Sequence, residues 1–289
     1  MPWSRKKKAL LIILSLIVLI FVVSLVAGLA GRPSGDRIGV VEIEGVITGS
    51  KEVMDDIERF KEDASIKGVI LRINSPGGAV GPTQEIYREV EKLREKKKVY
   101  VSMGTTCASG GYYIASAAEK LYANPSTITG SIGVIMHLMI AQEVLKKIGL
   151  KSNTIKAGEF KDVGSPFRDM TPAEREYMDG IVMNIYEQFM KDISTGRKME
   201  LEKVKKLAEG RIYTGSQAKN AGLVDALGNF YDTVDALKAV LKIKGKPNLV
   251  YTEKPFSFSK WIFGSLSREL MNAAYSSPFA FLAVPSSIR

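Results

Sequence analysis

Met103-Gly104-Thr105-Thr106-Cys107-Ala108-Ser109-Gly110-Gly111-Tyr112-Tyr113-Ile114-Ala115 follows a strand-like run, Lys98-Val99-Tyr100-Val101-Ser102, and leads into a small-residue helical run through Ala118. A buried strand that turns at glycines into a helix is the repeating step of an α/β fold. The Ser109 hydroxyl stands where the helix begins. Glycines there let a substrate approach the backbone, and the first N–H groups and the helix dipole favour a developing negative charge. A nucleophilic serine needs those conditions. The same residues also read as a serine N-cap with glycines for close helix packing, and this stretch alone does not choose between the two.

The same step recurs on both sides. Residues 38–45 read as a strand and turn, and Val53, Ile57 and Phe60 share one face of a short helix. Residues 68–73 form a second buried strand that runs into Asn74-Ser75-Pro76-Gly77-Gly78, and Ile86, Val90 and Leu93 mark the next helix. Residues 121–123 and 133–136 are expected strands, with a helix at 144–148. Beyond Pro172, Ile181, Ile185, Phe189 and Ile193 recur at helical spacing as a core or subunit-interface stripe. Short helices at 204–208, 216–220 and 234–240 surround a strand at 211–213. The pattern predicts an α/β fold of stacked β-β-α or β-α units, without internal repeats.

The 289 residues carry a net charge of +10, and Arg5, Lys6, Lys7 and Lys8 supply four of those charges. The mildly basic remainder has no Arg/Lys patch interleaved with aromatics, so no nucleic-acid partner is expected. Residues 9–30 are an unbroken apolar or small run, long enough as a helix to cross about 30 Å of hydrocarbon. Positive charge is concentrated before it, which predicts a cytoplasmic N-terminus and an extracytoplasmic remainder. Gly28-Leu29-Ala30 also offers a small-x-small cleavage site, but the run exceeds the roughly 7–15 residues of a signal peptide. The expectation is a single-pass anchor. The chain then divides into a basic stub (1–8), an anchor (9–30), a linker (31–37), a catalytic domain (38–253) and an aromatic tail (254–289) holding Phe256, Phe258, Trp261, Ile262 and Phe263. The tail reads either as a segment at the membrane surface or against a neighbouring subunit, or as a loose end poorly packed on the domain.

Asn74-Ser75-Pro76-Gly77-Gly78 ends a strand with a fixed-φ proline and two permissive glycines. Such a turn can aim backbone N–H groups outward as an oxyanion hole, or can be no more than a tight β-to-α turn. A nucleophilic serine also needs a base. His137 is the sole histidine, and Ile135-Met136-His137-Leu138-Met139 reads as core or strand edge. The alternative is a lysine kept neutral by burial. Lys161 is the best placed, in the glycine- and proline-rich loop Lys156-Ala157-Gly158-Glu159-Phe160-Lys161-Asp162-Val163-Gly164-Ser165-Pro166-Phe167. With one histidine and one cysteine, Cys107, neither a disulfide nor a metal cluster is expected.

Asn-Ser-Pro-Gly-Gly, Ala-Ser-Gly-Gly-Tyr-Tyr, Thr129-Gly130-Ser131-Ile132-Gly133-Val134 and Gly-Glu-Phe-Lys-Asp, in that order, resemble the signal peptide peptidase A family. Gly210-Arg211-Ile212-Tyr213-Thr214-Gly215 and Gly222-Leu223-Val224-Asp225 extend the resemblance, which covers roughly residues 38 to 240. These are membrane-anchored Ser/Lys proteases of the Clp-protease/crotonase-like fold (peptidase family S49), and the chain is similar to their single-unit form. The resemblance implies Ser109 as nucleophile and Lys161 as general base. It further implies the Gly78 and Gly110 N–H groups as oxyanion hole and Ser131 as the hydroxyl that orients the lysine. Because serine and lysine come from different halves of the two-unit relatives, it also implies a homo-oligomeric ring with sites shared between subunits. The substrates implied are signal peptides left in the membrane after secretion, with no metal or nucleotide cofactor. A stomatin-associated Ser/Lys protease and a catalytically silent scaffold are the rival readings; a crotonase-type acyl-CoA enzyme shares the fold but would lack its CoA outside the cytoplasm. A carboxylate close to Lys161 would favour its charged form, so Asp162 is expected to point away.

Overall fold

The computed structural model describes residues 13–24 and 36–252. The basic stub, most of the linker and the aromatic tail lie outside them. Of the expected anchor, residues 13–24 are helical and exposed (α1), a length of about 18 Å at 1.5 Å per residue. Residues 9–12 and 25–30 of that span lie outside the described residues. Among the described residues no helix is long and apolar enough to cross a membrane.

The sheet has eight strands: β1 (Arg37–Glu44), β2 (Ile66–Ser75), β3 (Lys98–Ala108), β4 (Lys120–Ala123), β5 (Ile128–Gly130), β6 (Ile212–Thr214), β7 (Ala226–Leu227) and β8 (Asn248–Tyr251). Its order is β6-β5-β3-β2-β1-β8, with β4 beside β3 and β7 beside β4. Every pairing is parallel except β5 with β6. Parallel strands need both faces covered, and the near-continuous run Val69-Ile70-Leu71 meets that need. Val69, Leu71, Val99 and Val101 join a core shared with α2 (Lys51–Glu62), α3 (Val80–Lys96), α4 (Gly110–Ser116) and the far end of α6 (Pro172–Arg197). Ile38, Ile70 and Tyr100 face the other way, onto Val234 and Leu237 of α9 (Phe230–Leu241). Each large aliphatic side chain buried in this way is worth about 1.5–3 kcal/mol.

Three features position the site. Strand β3 is shared: Tyr100–Ser102 pair with β4, and Thr106–Ala108 pair with β5. Between those stretches the register against β2 slips, from Ile73↔Met103 to Ser75↔Cys107. Asn74 fills the slip, its Oδ1 accepting from the Thr106 N–H at 3.2 Å. A side chain on Gly104 would meet Asn74 at 2.8 Å, so glycine is needed there. The strand that sequence ends at Ser102 therefore continues to Ala108. Third, α6 crosses α4 at Gly196, where a Cβ would lie 2.2 Å from the Ser116 carbonyl oxygen.

The expected strand at 133–136 does not form. Gly130 and Ser131 take φ values of 77° and 51°, which turn the chain off β5, and Ile135 and Met136 are exposed with no strand beside them. Short helices α5 (Gln142–Lys147), α7 (Leu201–Leu207) and α8 (Gly215–Ala221) complete the described fold. In α6 only the second half of the expected stripe is core: Phe189 and Ile193 are buried, whereas Ile181 and Ile185 are half-buried.

Candidate active site

Ser109 joins β3 to α4 with φ 50° and ψ −121°. Its N–H donates to the Gly130 carbonyl at 2.8 Å, and its carbonyl accepts from the Tyr113 N–H at 2.9 Å. The turn is therefore pinned to β5 on one side and to α4 on the other. Helix α4 is fixed in turn by the buried Tyr112, whose hydroxyl donates to the Leu223 carbonyl at 2.9 Å. Tyr113 stacks on Phe189 of α6, ring centroids 4.4 Å apart. The Ser109 side chain makes no capping hydrogen bond, which removes the N-cap reading of its hydroxyl. A serine held on a strained strand-to-helix turn with its hydroxyl uncommitted is how α/β folds present a nucleophile.

The Pro-Gly-Gly loop lies against this turn. Ser75 Oγ accepts from the Gly77 N–H at 3.1 Å, and Gly77 adopts φ 103°. A Cβ on Gly77 would sit 2.7 Å from the Gly110 nitrogen. Ile47 donates to the Gly77 carbonyl at 2.9 Å and accepts from the Ala79 N–H at 2.8 Å. Those two bonds use the Gly77 carbonyl and the Ala79 N–H and leave the Gly78 N–H between them unused. The Cβ position of Gly110 lies 3.3 Å from the Gly78 nitrogen, so the two amides are neighbours. Neither donates to any acceptor among the described residues. Two uncommitted N–H groups beside an uncommitted hydroxyl can hold an oxyanion.

Ser131 is half-buried and follows Gly130, the residue that anchors Ser109; its N–H donates to the Arg211 carbonyl at 2.8 Å. Among the described residues four non-glycine positions have positive φ: Ser109, Ser131, Lys198 and Lys242. Both lysines are left-handed helix C-caps, a common role. The two serines have no such excuse, and strain of this kind collects at functional sites.

Lys161 is exposed, in a turn closed by its own N–H donating to the Gly158 carbonyl at 3.3 Å. No hydrogen bond or ion pair among the described residues joins its amine to Ser109 or Ser131. Asp162 turns to Arg168, which donates from Nε at 2.9 Å and from Nη2 at 2.8 Å, and to Lys156. Those contacts hold its carboxyl below the usual carboxylate range, Arg168 first and Lys156 second. His137 is exposed in the same arm, not in a core or at a strand edge; the apolar residues around it lack a sheet to enter. Cys107 is fully buried, and burial alone pushes its thiol pKa up, which disables it as a nucleophile. Arg168 and Glu174 were not singled out from sequence, although Thr171-x-x-Glu174 spells a capping box. The box forms, with Thr171 Oγ1 accepting from the Glu174 N–H at 3.2 Å.

The sequence matches Peptidase family S49 over residues 91–244 and the Clp protease family over residues 42–130. The chain belongs to peptidase family S49. The Clp protease match runs from the end of β1 through β5 and includes both the Pro-Gly-Gly loop and the Ser109 turn. Similar family members include a protein named as a protease from Methanocaldococcus jannaschii, 40% identical, covering 73% of this chain and 66% of that one. A protein named as signal peptide peptidase SppA from Enterococcus faecium is 36% identical, over 72% of this chain and 61% of its own. A third, named as a protease from Synechocystis, is 40% identical, over 68% of this chain and 71% of its own. The aligned part thus spans about two thirds of these S49 relatives.

Proposed function

We propose that this S49 chain is a serine endopeptidase working through a Ser109/Lys161 dyad. Ser109 Oγ attacks the scissile carbonyl while the neutral Lys161 amine takes its proton. The Gly78 and Gly110 N–H groups receive the oxyanion of the tetrahedral intermediate. As that intermediate collapses, the lysine ammonium hands its proton to the leaving amine, and water then releases the acyl group by the same steps. The observation that carries the reading is the Ser109 turn, strained, uncapped and set against two uncommitted amides.

Lys161 needs dry surroundings to act as a base, and a hydroxyl such as that of Ser131 to orient it. Its exposure in a single copy of the chain favours a shared site, in which a neighbour's Ser109 turn and Ser131 cover the amine in a homo-oligomeric ring. The substrates are apolar peptides, signal peptides remaining in the membrane after secretion; the name of the E. faecium relative supports that class. Residues 9–30 anchor the chain and the catalytic domain faces outside the cytoplasm, a reading that rests on the apolar run and the charges before it.

The test is peptidase activity of the purified chain on an apolar peptide. Ser109→Ala and Lys161→Ala should each lower kcat by about a thousandfold or more with the fold intact. His137→Ala and Cys107→Ala should remain active. A folded, inactive His137→Ala beside an active Lys161→Ala would replace the lysine by a histidine base.

A further inference from the structure

Lys161 and Asp162 are adjacent, so the sequence places a carboxylate beside the group that the proposed mechanism needs neutral. The structure holds that carboxylate in a closed set of four charges. Arg168 grips both Asp162 oxygens, through Nε at 2.9 Å and Nη2 at 2.8 Å, and Lys156 donates to Oδ1. The other edge of the same guanidinium donates to Glu174, Nη1 to Oε2 at 2.8 Å and Nη2 to Oε1. Glu174 is buried and also accepts from the Thr171 N–H at 2.9 Å, which roots the set in the first turn of the 26-residue helix α6. Arg168 Nη1 reaches the Asp169 carbonyl at 3.1 Å as well.

We propose that Arg168 is a positioning residue for the base: it binds the Asp162 carboxylate to α6 and so keeps an unpaired negative charge away from the Lys161 amine. The inference rests on Lys161 being the base. Two cations and two anions make the set neutral, so it removes Asp162 without imposing a net charge of its own. Of the neighbouring elements, α6 contributes Glu174 and Tyr177, whose ring meets Phe160, and the segment that seats Leu138 against Gly164 and Ala141 against Pro166 carries His137 and, in α5, Glu143, Lys146 and Lys147; the turn itself also carries the exposed Glu159. On the turn itself, Lys156 also donates to the Glu159 carbonyl. Arg168 holds the Glu174 carboxyl down at about 2, so the set stays charged throughout the neutral range.

An unpaired carboxylate close to a lysine favours the ammonium and shifts its titration by about 1–3 pH units. In Arg168→Gln, Asp162 keeps Lys156 alone while Glu174 loses its partner, so the set turns net negative and the acidic limb of the kcat/KM–pH profile should move alkaline by about 1 unit, with activity recovering at high pH. In Arg168→Gln/Asp162→Asn the carboxylate next to Lys161 is gone, Lys156 and Glu174 leave the set neutral again, and the limb should return to its wild-type position. Loss of a merely structural contact would lower the whole profile without moving it, and deleting a second member would not rescue it. A limb unmoved in Arg168→Gln, or unrestored in the double variant, overturns the proposal. Should Arg168→Gln fail to fold, Arg168→Lys, which keeps one charge and loses the fork, should show a smaller shift in the same direction, and no shift there overturns it equally. Activity surviving in Lys161→Ala would sink the base itself and this role with it. An inactive Lys161→Ala beside an unmoved limb sinks Arg168 alone.

Discussion

Around Ser109 the chain is closed to water: Met103, Cys107, Tyr112, Ile114 and Ala115 are all fully buried. Around Lys161 it is open, and many of the exposed residues are large apolar ones. Ile135 is 79%, Met139 86% and Ile155 96% exposed, with Val144, Ile148, Leu150 and Phe160 also in solvent. One region carries its own core; the other is an arm held by its Arg168 set, by Phe160 against Tyr177, and by little else. A monomer rarely leaves so many large apolar side chains in water without a surface to meet. The contrast teaches that the Ser109 half is finished within one copy, whereas the Lys161 half leaves apolar surface that the proposed shared site would cover.

The sharpest way to break the comparison is on its finished side. In Gly78→Ala a Cβ would fall 2.1 Å from the Ile47 carbonyl oxygen, so the loop must shift and carry the Gly78 N–H with it. Losing one oxyanion donor should lower kcat by about a hundredfold or more, read by steady-state kinetics on a variant with native circular dichroism. Full activity would remove Gly78 from the oxyanion hole.

A smaller effect tests whether the halves meet across copies. Co-assembling equal amounts of Ser109→Ala and Lys161→Ala should restore about a quarter of wild-type activity, because a heterologous interface is whole only when each chain brings its intact residue. Confirmed mixed assemblies without activity would leave each chain to build its own site.

The smallest effect concerns the arm alone. Ile155→Ser with Met139→Ser should leave the melting temperature of the dissociated chain within about 2–4 °C of wild type, since neither side chain belongs to a core. Assembly measured by sedimentation should weaken. A large fall in melting temperature would mean that the arm is packed within the monomer.

Much of the fold was legible where pattern and burial agree. The strands before Asn74 and Ser109, the helix faces of Ile57 and Phe60 and of Ile86, Val90 and Leu93, and the placing of the Ser109 turn all follow from local sequence. The strand expected at 133–136 shows the limit, because a short apolar run has the same composition whether a sheet or a partner will cover it. The uncommitted Ser109 hydroxyl was not legible either. Nucleophile and N-cap share one sequence, and only φ, ψ and the absent cap separate them. Arg168 was invisible for another reason: its partners are six residues away on either side, a spacing that no local rule favours in a loop.

The Ser109 backbone carries one more consequence. At φ 50° and ψ −121° it has the angles of the first central residue of a type II′ turn, a place where glycine is the default residue. A serine there costs about 1–3 kcal/mol, more than the roughly 0.5–1 kcal/mol of chain freedom that a glycine would lose on folding. By this comparison the fold would be more stable with glycine at position 109. On the proposed mechanism it is selection for chemistry that holds the hydroxyl in place, so in a lineage that no longer cuts peptides the change to glycine is downhill. A descendant reading Ala-Gly-Gly-Gly at this turn would be a fossil of the enzyme, sturdier than its ancestor and silent.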